Sequence, residues 1–115
     1  MQVASMGNVV IVSPAGRLDA AGAEPLQKEL EDQIAAGHTH LILDLSQARY
    51  MSSSGLRVLL SMRKRLGRTG GAIKLCCLSP RLVEILEIAG FNELFEIYDS
   101  RGQALKAFSA GPPLP

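Results

Sequence analysis

The sequence predicts a single α/β domain, and three observations carry that expectation. "HLILDLS" (His40–Ser46) and "AIKLCCL" (Ala72–Leu78) are nearly continuous apolar runs, the pattern of strands covered on both faces in a parallel sheet. Segments with apolar residues at helical spacing lie between such runs, so strands and helices alternate and the strands are joined by crossovers. A chain of 115 residues is long enough for one sizeable core and too short for two.

The first strand is "NVVIVSPAG" (Asn8–Gly16), a β-branched run ended by Pro14 and Gly16, with residues 2–5 pairing onto it through a turn at Met6 and Gly7. In "AEPLQKELEDQIAAG" the apolar Leu26, Leu30 and Ile34 recur every fourth position, with Glu24 and Pro25 at the start and Gly37 at the stop, which predicts an amphipathic helix. After the His40–Ser46 strand a second helix runs from near Ser53 to Leu66, before the break "GRTGG". The Ala72–Leu78 strand leads to a third helix that Ser79 caps and Pro80 opens, with Leu82, Ile85, Leu86 and Ala89 on one face and Gly90 as its stop. A strand "LFEIYD" and a short helix "GQALKAF" complete the domain, expected over 1–108, and "SAGPPLP" (109–115) is expected to be a disordered tail.

Composition narrows the function classes. A net charge of +1 gives no field that would make nucleic acid or an anionic membrane the default partner. The basic run "RKRLGR" lacks interleaved aromatics and reads as a solvated helix face. No apolar run is long enough to span a bilayer and "MQVASMGNVV" has no basic leader region, so a cytoplasmic protein is expected. Cys76 and Cys77 are adjacent, and on a strand their side chains would point to opposite faces, a poor disulfide that suits a reducing compartment. His38 and His40 share a strand face but have no Cys, Asp or Glu cluster beside them, so they read as surface histidines, and neither metal nor cofactor is expected.

The stretch "RYMSSSGLRVLL" (Arg49–Leu60) places three hydroxyls in a strand-to-helix connection, where open α/β sheets commonly carry function. Serines there can simply cap the free N–H groups of the first turn. The stretch is not a phosphate-cradling loop, since both glycine-rich patterns are absent, and no glycine stands two residues before any of these serines as a nucleophile elbow requires. The only candidate bases, His38 and His40, enter a strand at its opposite end, so no enzyme is expected. On the helix that follows, Leu56, Leu59, Leu60 and Leu66 form the expected core stripe, while Val58 and Met62 widen the apolar arc to about 200°. Either neighbouring elements of the same domain or a partner must cover that edge. Arg63 falls inside the arc, where its stem can snorkel outward.

"LDLSQARYMSSSGLRVLL" resembles the core signature of the anti-sigma factor antagonists built on the STAS domain: a strand ending Asp-Leu-Ser, a turn, an aromatic and an apolar residue, then Asp-Ser-Ser-Gly-Leu opening a helix. The resemblance extends through "GRLDAAGAEPLQKEL", "GGAIKLCCLSPRLVEILEIAGF" and "FEIYDSRGQAL", about residues 8–108. It implies a single STAS domain, a small mixed sheet with parallel βαβ units, an antiparallel first hairpin and about four helices packed against it. It also implies a role without catalysis: dephosphorylated, such a protein binds an anti-sigma factor serine kinase and frees a sigma factor; phosphorylated on one serine, it is released, and a phosphatase can restore it. The acceptor falls on Ser54, immediately before Gly55, with Ser53 as the alternate. The family's usual Asp two residues before the acceptor is Ser52 here, a comparable helix cap that lacks the charge. The "RLD" turn nominates Asp19 as a kinase contact. With the wide apolar arc, the expected partner surface comprises Asp19, Ser52, Ser53, Gly55, Val58 and Met62 around Ser54. The alternative is a non-switching STAS module of a transport or scaffolding complex that binds constitutively or holds a nucleotide.

Overall fold

The computed structural model describes residues 1–109. Strands β1 (Gln2–Met6) and β2 (Val9–Ser13) form an antiparallel hairpin, and β2 continues in parallel to β4 (His40–Asp44), β6 (Ala72–Cys76) and β7 (Ile97–Tyr98), giving the order β1-β2-β4-β6-β7. A separate parallel pair joins β3 (Gly16–Leu18) to β5 (Ala48–Met51). Among the described residues four α-helices follow the strands: α1 (Ala20–Ala35), α2 (Ser53–Gly67), α3 (Pro80–Ile88) and α4 (Arg101–Ser109), with one 3-10 turn at Phe91–Glu93. This is the predicted mixed sheet with parallel βαβ units. The expected tail lies outside the described residues except for Ser109, which ends α4.

The two faces of the sheet follow the period-2 alternation of its strands. Val10, Val12, Leu41, Leu43, Ile73 and Leu75 enter the main core with Leu26 and Leu30 of α1, Leu59, Met62 and Leu66 of α2, and Leu82 and Leu86 of α3. Val9, Ile11, Ile42 and Cys76 point the other way and pack with Ala104 of α4. Lys74 shares that second face: it pairs with Glu96 and its ammonium lies 4.7 Å from the centre of the Phe108 ring. His40 stacks on the same ring at 4.8 Å.

Helix α4 is fastened by charge as well as by packing. Arg101 donates from Nε and Nη2 to Oδ2 of Asp44, at 3.1 and 2.8 Å, and from Nη2 to the Ser13 hydroxyl at 3.2 Å. Oδ1 of Asp44 accepts from the Ser46 N–H at 2.9 Å. Burial by itself would raise the Asp44 pKa; the Ser46 hydrogen bonds and the Arg101 guanidinium outweigh it, and the carboxyl is held below its ordinary value.

Several expectations are corrected. Helix α1 begins a turn before Glu24, because Asp19 caps a run of alanines and one glycine; Pro25 sits inside the helix on an exposed position. The last strand is only Ile97–Tyr98, since residues 91–93 turn as a 3-10 helix that buries Phe91. On α2, Val58 and Met62 are 5% and 0% exposed, so they are core residues, not an open edge. Helix α1 packs along α2, and the buried stripe is Gly55, Val58, Leu59, Met62 and Leu66. Leu60, expected in the core, is instead 39% exposed, and Arg63 reaches over the surface to donate to the Leu94 carbonyl at 2.9 Å.

Two stability tests follow. Met62→Ala is expected to cost about 2–5 kcal/mol in urea unfolding, while Leu60→Asp is expected to change stability by no more than about 0.5 kcal/mol. Because the folded pKa of Asp44 is depressed, its contribution is present above the unfolded value and lost as pH falls through the folded one, that is, below about pH 4. Urea midpoints measured down to that range are expected to fall less steeply for Asp44→Asn than for the wild type.

Candidate functional site: two helix starts on one strand pair

Strands β3 and β5 lie parallel with Arg17 level with Tyr50 and Leu18 level with Met51. Each passes directly into a helix through a capping residue. Oδ1 of Asp19 accepts from the Gly22 N–H at 3.0 Å, and Oγ of Ser52 accepts from the Ser54 N–H at 3.2 Å. The segments Arg17–Gly22 and Tyr50–Gly55 therefore share one plan: two strand residues, a cap, two helical residues and a glycine.

Both glycines are required by close backbone approach. A Cβ on Gly22 would lie 2.0 Å from the Arg17 carbonyl oxygen; one on Gly55 would lie 2.8 Å from the Leu18 carbonyl oxygen and 2.6 Å from Cγ of Met51. Ser52 completes the junction, donating its N–H to the Leu18 carbonyl at 3.0 Å and its hydroxyl to the same oxygen at 3.3 Å. The side chain of an aspartate at this position could accept from Ser54 but could not donate to Leu18.

The serines thus differ in setting. Ser52 is consumed by the cap, Ser53 is exposed at the first helical position, and Ser54 is half-buried at the second. Ser54 lines a shallow groove of about 380 Å³ between α1 and α2, together with Ala20, Ala23, Glu24, Gln27, Arg57, Val58 and Ser61. Val58 contributes only floor to this groove, and Met62 lies in the core. The structure therefore joins Asp19, Ser52, Ser53, Ser54 and Gly55 at one junction and leaves Val58 and Met62 no exposed side chain to offer.

Tyr50 extends the surface at the strand end. The Arg17 guanidinium carbon stands 4.3 Å above its ring centre and that of Arg81 5.9 Å away. Arg17 Nε also lies 3.7 Å from Oδ2 of Asp19, a loose ion pair between side chains 59% and 43% exposed, and hence of little energetic weight. The pairing of Arg17 with Tyr50 is not legible in the sequence, because nothing in a three-residue and a four-residue strand announces it, and Arg81 joins them from α3.

A second grouping also escaped the sequence. Asp44, Cys76 and Cys77 place a carboxylate oxygen and two sulfurs within 4.8 Å of one another, where no ligand cluster was expected. Both Asp44 oxygens are already engaged, by Ser46 and Arg101, so a cation there would have to displace an existing partner.

The junction and its flanks match a known sequence pattern: the STAS domain family matches residues 1–104. The chain belongs to the STAS domain family. It is 38% identical over 105 residues to BtrV of Bordetella bronchiseptica, named as a candidate anti-sigma factor antagonist, covering 91% of this chain and 90% of that protein. It is 30% identical to an anti-sigma F factor antagonist of Paenibacillus polymyxa, covering 84% of each. In fold it is similar to the Bacillus cell fate determinant SpoIIAA in its phosphorylated form, with a TM-score of 0.73 at 20% identity over 93% of this chain and 97% of that one.

The cap geometry predicts that Ser52→Ala loses the two hydrogen bonds of the hydroxyl, from the Ser54 N–H and to the Leu18 carbonyl, keeps the backbone one to Leu18, and costs about 0.5–2 kcal/mol. Thermal unfolding of that variant measures the loss.

Proposed function

We propose that this chain is an anti-sigma factor antagonist, a protein-binding switch with no catalysis of its own. Dephosphorylated, it binds an anti-sigma factor serine kinase in the cytoplasm and frees the sigma factor; phosphorylated on Ser54 it is released, and a phosphatase returns it to the binding form. The observation that carries this reading is the position of Ser54 at the second residue of α2, half-exposed in the groove where two helix starts meet. The names of the Bordetella and Paenibacillus relatives support the role, and the phosphorylated SpoIIAA supports a fold that tolerates a phosphate.

The physics of such a switch is local. A phosphate carries a charge of roughly −2, and at a helix start the free N–H groups and dipole favour it by only about 0.3–1 kcal/mol. Leaving a charge unpaired in a docked interface costs about 2–5 kcal/mol. The docking term is larger, so binding weakens by of order 1–4 kcal/mol, roughly tenfold to a thousandfold in affinity. The fold is retained, because Ser52 and not Ser54 holds the cap. Asp19, Ser52 and Ser53 make up the rest of the partner surface in this reading; Gly55, expected there too, is buried in the α2 stripe and serves the junction by allowing its close approach to Leu18.

The test is a pull-down with unmodified protein followed by incubation of the captured kinase with ATP. Ser54→Ala is expected to bind and never be released, Ser54→Asp to bind weakly though better than the phosphoprotein, and Ser53→Ala still to accept phosphate. Phosphopeptide mapping to Ser53, or a Ser54→Ala protein that remains a good substrate, overturns the residue assignment. If no serine is modified by the captured kinase, the switch is absent.

A further inference from the structure

Cys76 ends β6, is 0% exposed and packs in the second core with Ala104; Cys77, half-buried, begins the loop to α3. Cys77 has φ of 65°, the one positive value among the described residues other than glycine. A side chain is unfavourable there, and the conformation is held by two backbone hydrogen bonds, Cys77 N–H to the Tyr98 carbonyl at 3.1 Å and Leu45 N–H to the Cys76 carbonyl at 3.0 Å. The consequence is a change of side. An extended residue would send its side chain to the opposite face, whereas here the Cys77 sulfur turns back to lie 3.2 Å from that of Cys76 and donates to it.

Two thiols in adjacent residues, brought together by a conformation that residue type rarely takes, point to chemistry between the sulfurs. Coordination of a cation is the weaker use, because the nearby Asp44 carboxylate already satisfies Arg101 and Ser46. We propose that Cys76 and Cys77 form an oxidisable dithiol, a modification site at the carboxyl end of β6 that closes to a vicinal disulfide on reaction with a hydroperoxide. Closure to the S–S distance of about 2.05 Å needs an approach of roughly one ångström.

The step balances with hydrogen peroxide as oxidant. The more exposed Cys77, as thiolate, attacks one peroxide oxygen; the O–O bond breaks, water leaves with the thiol proton, and Cys77 becomes a sulfenic acid. The Cys76 sulfur then attacks the Cys77 sulfur, the S–S bond forms and the S–O bond breaks. The departing hydroxide takes the Cys76 proton as a second water. Two thiols and one peroxide thus give one disulfide and two waters, the sulfurs losing the two electrons the peroxide gains. Burial pushes the Cys76 thiol pKa up, which argues against it as the first attacker on peroxide; its attack on the Cys77 sulfur depends instead on the two sulfurs being held in contact. The ring would constrain the peptide whose N–H binds Tyr98, and so the attachment of β7 to β6.

The experiment treats the full chain with hydrogen peroxide, alkylates it unfolded with N-ethylmaleimide, and digests it with trypsin without reduction. Cleavage after Lys74 and Arg81 isolates both cysteines in one peptide, Leu75–Arg81. The expected product is that peptide unlabelled and lighter by two hydrogen atoms, and labelled twice if dithiothreitol precedes alkylation. Phenylarsine oxide, which bridges paired thiols, is expected to protect both cysteines of the untreated chain at one equivalent. A peptide carrying sulfinic or sulfonic acid on Cys77 with Cys76 still alkylated overturns the proposal. Disulfide-linked dimers, or two free thiols after excess peroxide, do the same. The wild-type digest decides alone; Cys77→Ser, if it folds, is expected to keep Cys76 alkylatable.

Discussion

The Leu18 carbonyl is the point on which the site depends. It receives two hydrogen bonds from Ser52, and the start of α2 lies so close to it that position 55 has no room for a side chain. That contact fixes α2 relative to β3, and through β3 relative to α1, which begins two residues after Leu18. A polar contact of this kind carries modest net energy, about 0.5–1.5 kcal/mol, but its geometric effect is large, because backbone atoms cannot shift rotamer. The glycine at 55 is a consequence of that approach, while the glycine at 22 answers to the Arg17 carbonyl in its own segment. Packing of α1 on α2 then buries Val58 and Met62, so the main core and the groove are two sides of one constraint.

The opposite face is organised differently. Under α4 the core is small, and part of the work passes to charge: Arg101, the first residue of the last helix, donates to Ser13 at the end of β2 and to Asp44 at the end of β4, whose other oxygen accepts from Ser46. Lys74 is buried on that face because Glu96 pairs with it and the Phe108 ring lies against its ammonium. The Glu96 carboxyl is correspondingly held below its usual pKa, first by the Lys74 hydrogen bond and then by Tyr98. The domain thus has one face held mainly by apolar volume and one held by a few directional pairs.

What could be read in the sequence follows the same division. Val10 to Val12, Leu41 to Leu43 and Leu75 sit in runs long enough for burial to show as composition, and the alternation with helices indicates the fold class, while the STAS resemblance rests on the motif from Leu43 to Leu60 and its flanks. Strands β3 and β5 could not be read, because three or four residues have no periodicity and their pairing joins segments some thirty residues apart. Pro25 misled as a helix start because Asp19, a stronger signal, lay in what read as a turn. Periodicity gives the width of the apolar arc of α2 and not its covered edge: the position of α1 closes the Val58 side and leaves Leu60 exposed. Cys76 and Cys77 were assigned to opposite faces by assuming the strand continued through both, and a single dihedral at Cys77 reverses that.

The shared plan of the two helix starts has a consequence of its own. They are near copies in backbone but not in charge: α1 begins with the fixed carboxylate of Asp19, α2 with the neutral hydroxyl of Ser52. The unmodified junction is therefore electrically lopsided, and a surface complementary to it can tell one half from the other although their shapes nearly coincide. An anion arriving on α2 would erase that polarity and leave two like-charged helix ends side by side. The asymmetry that gives the junction a direction resides in one functional group rather than in its shape, so it can be cancelled without moving a single backbone atom.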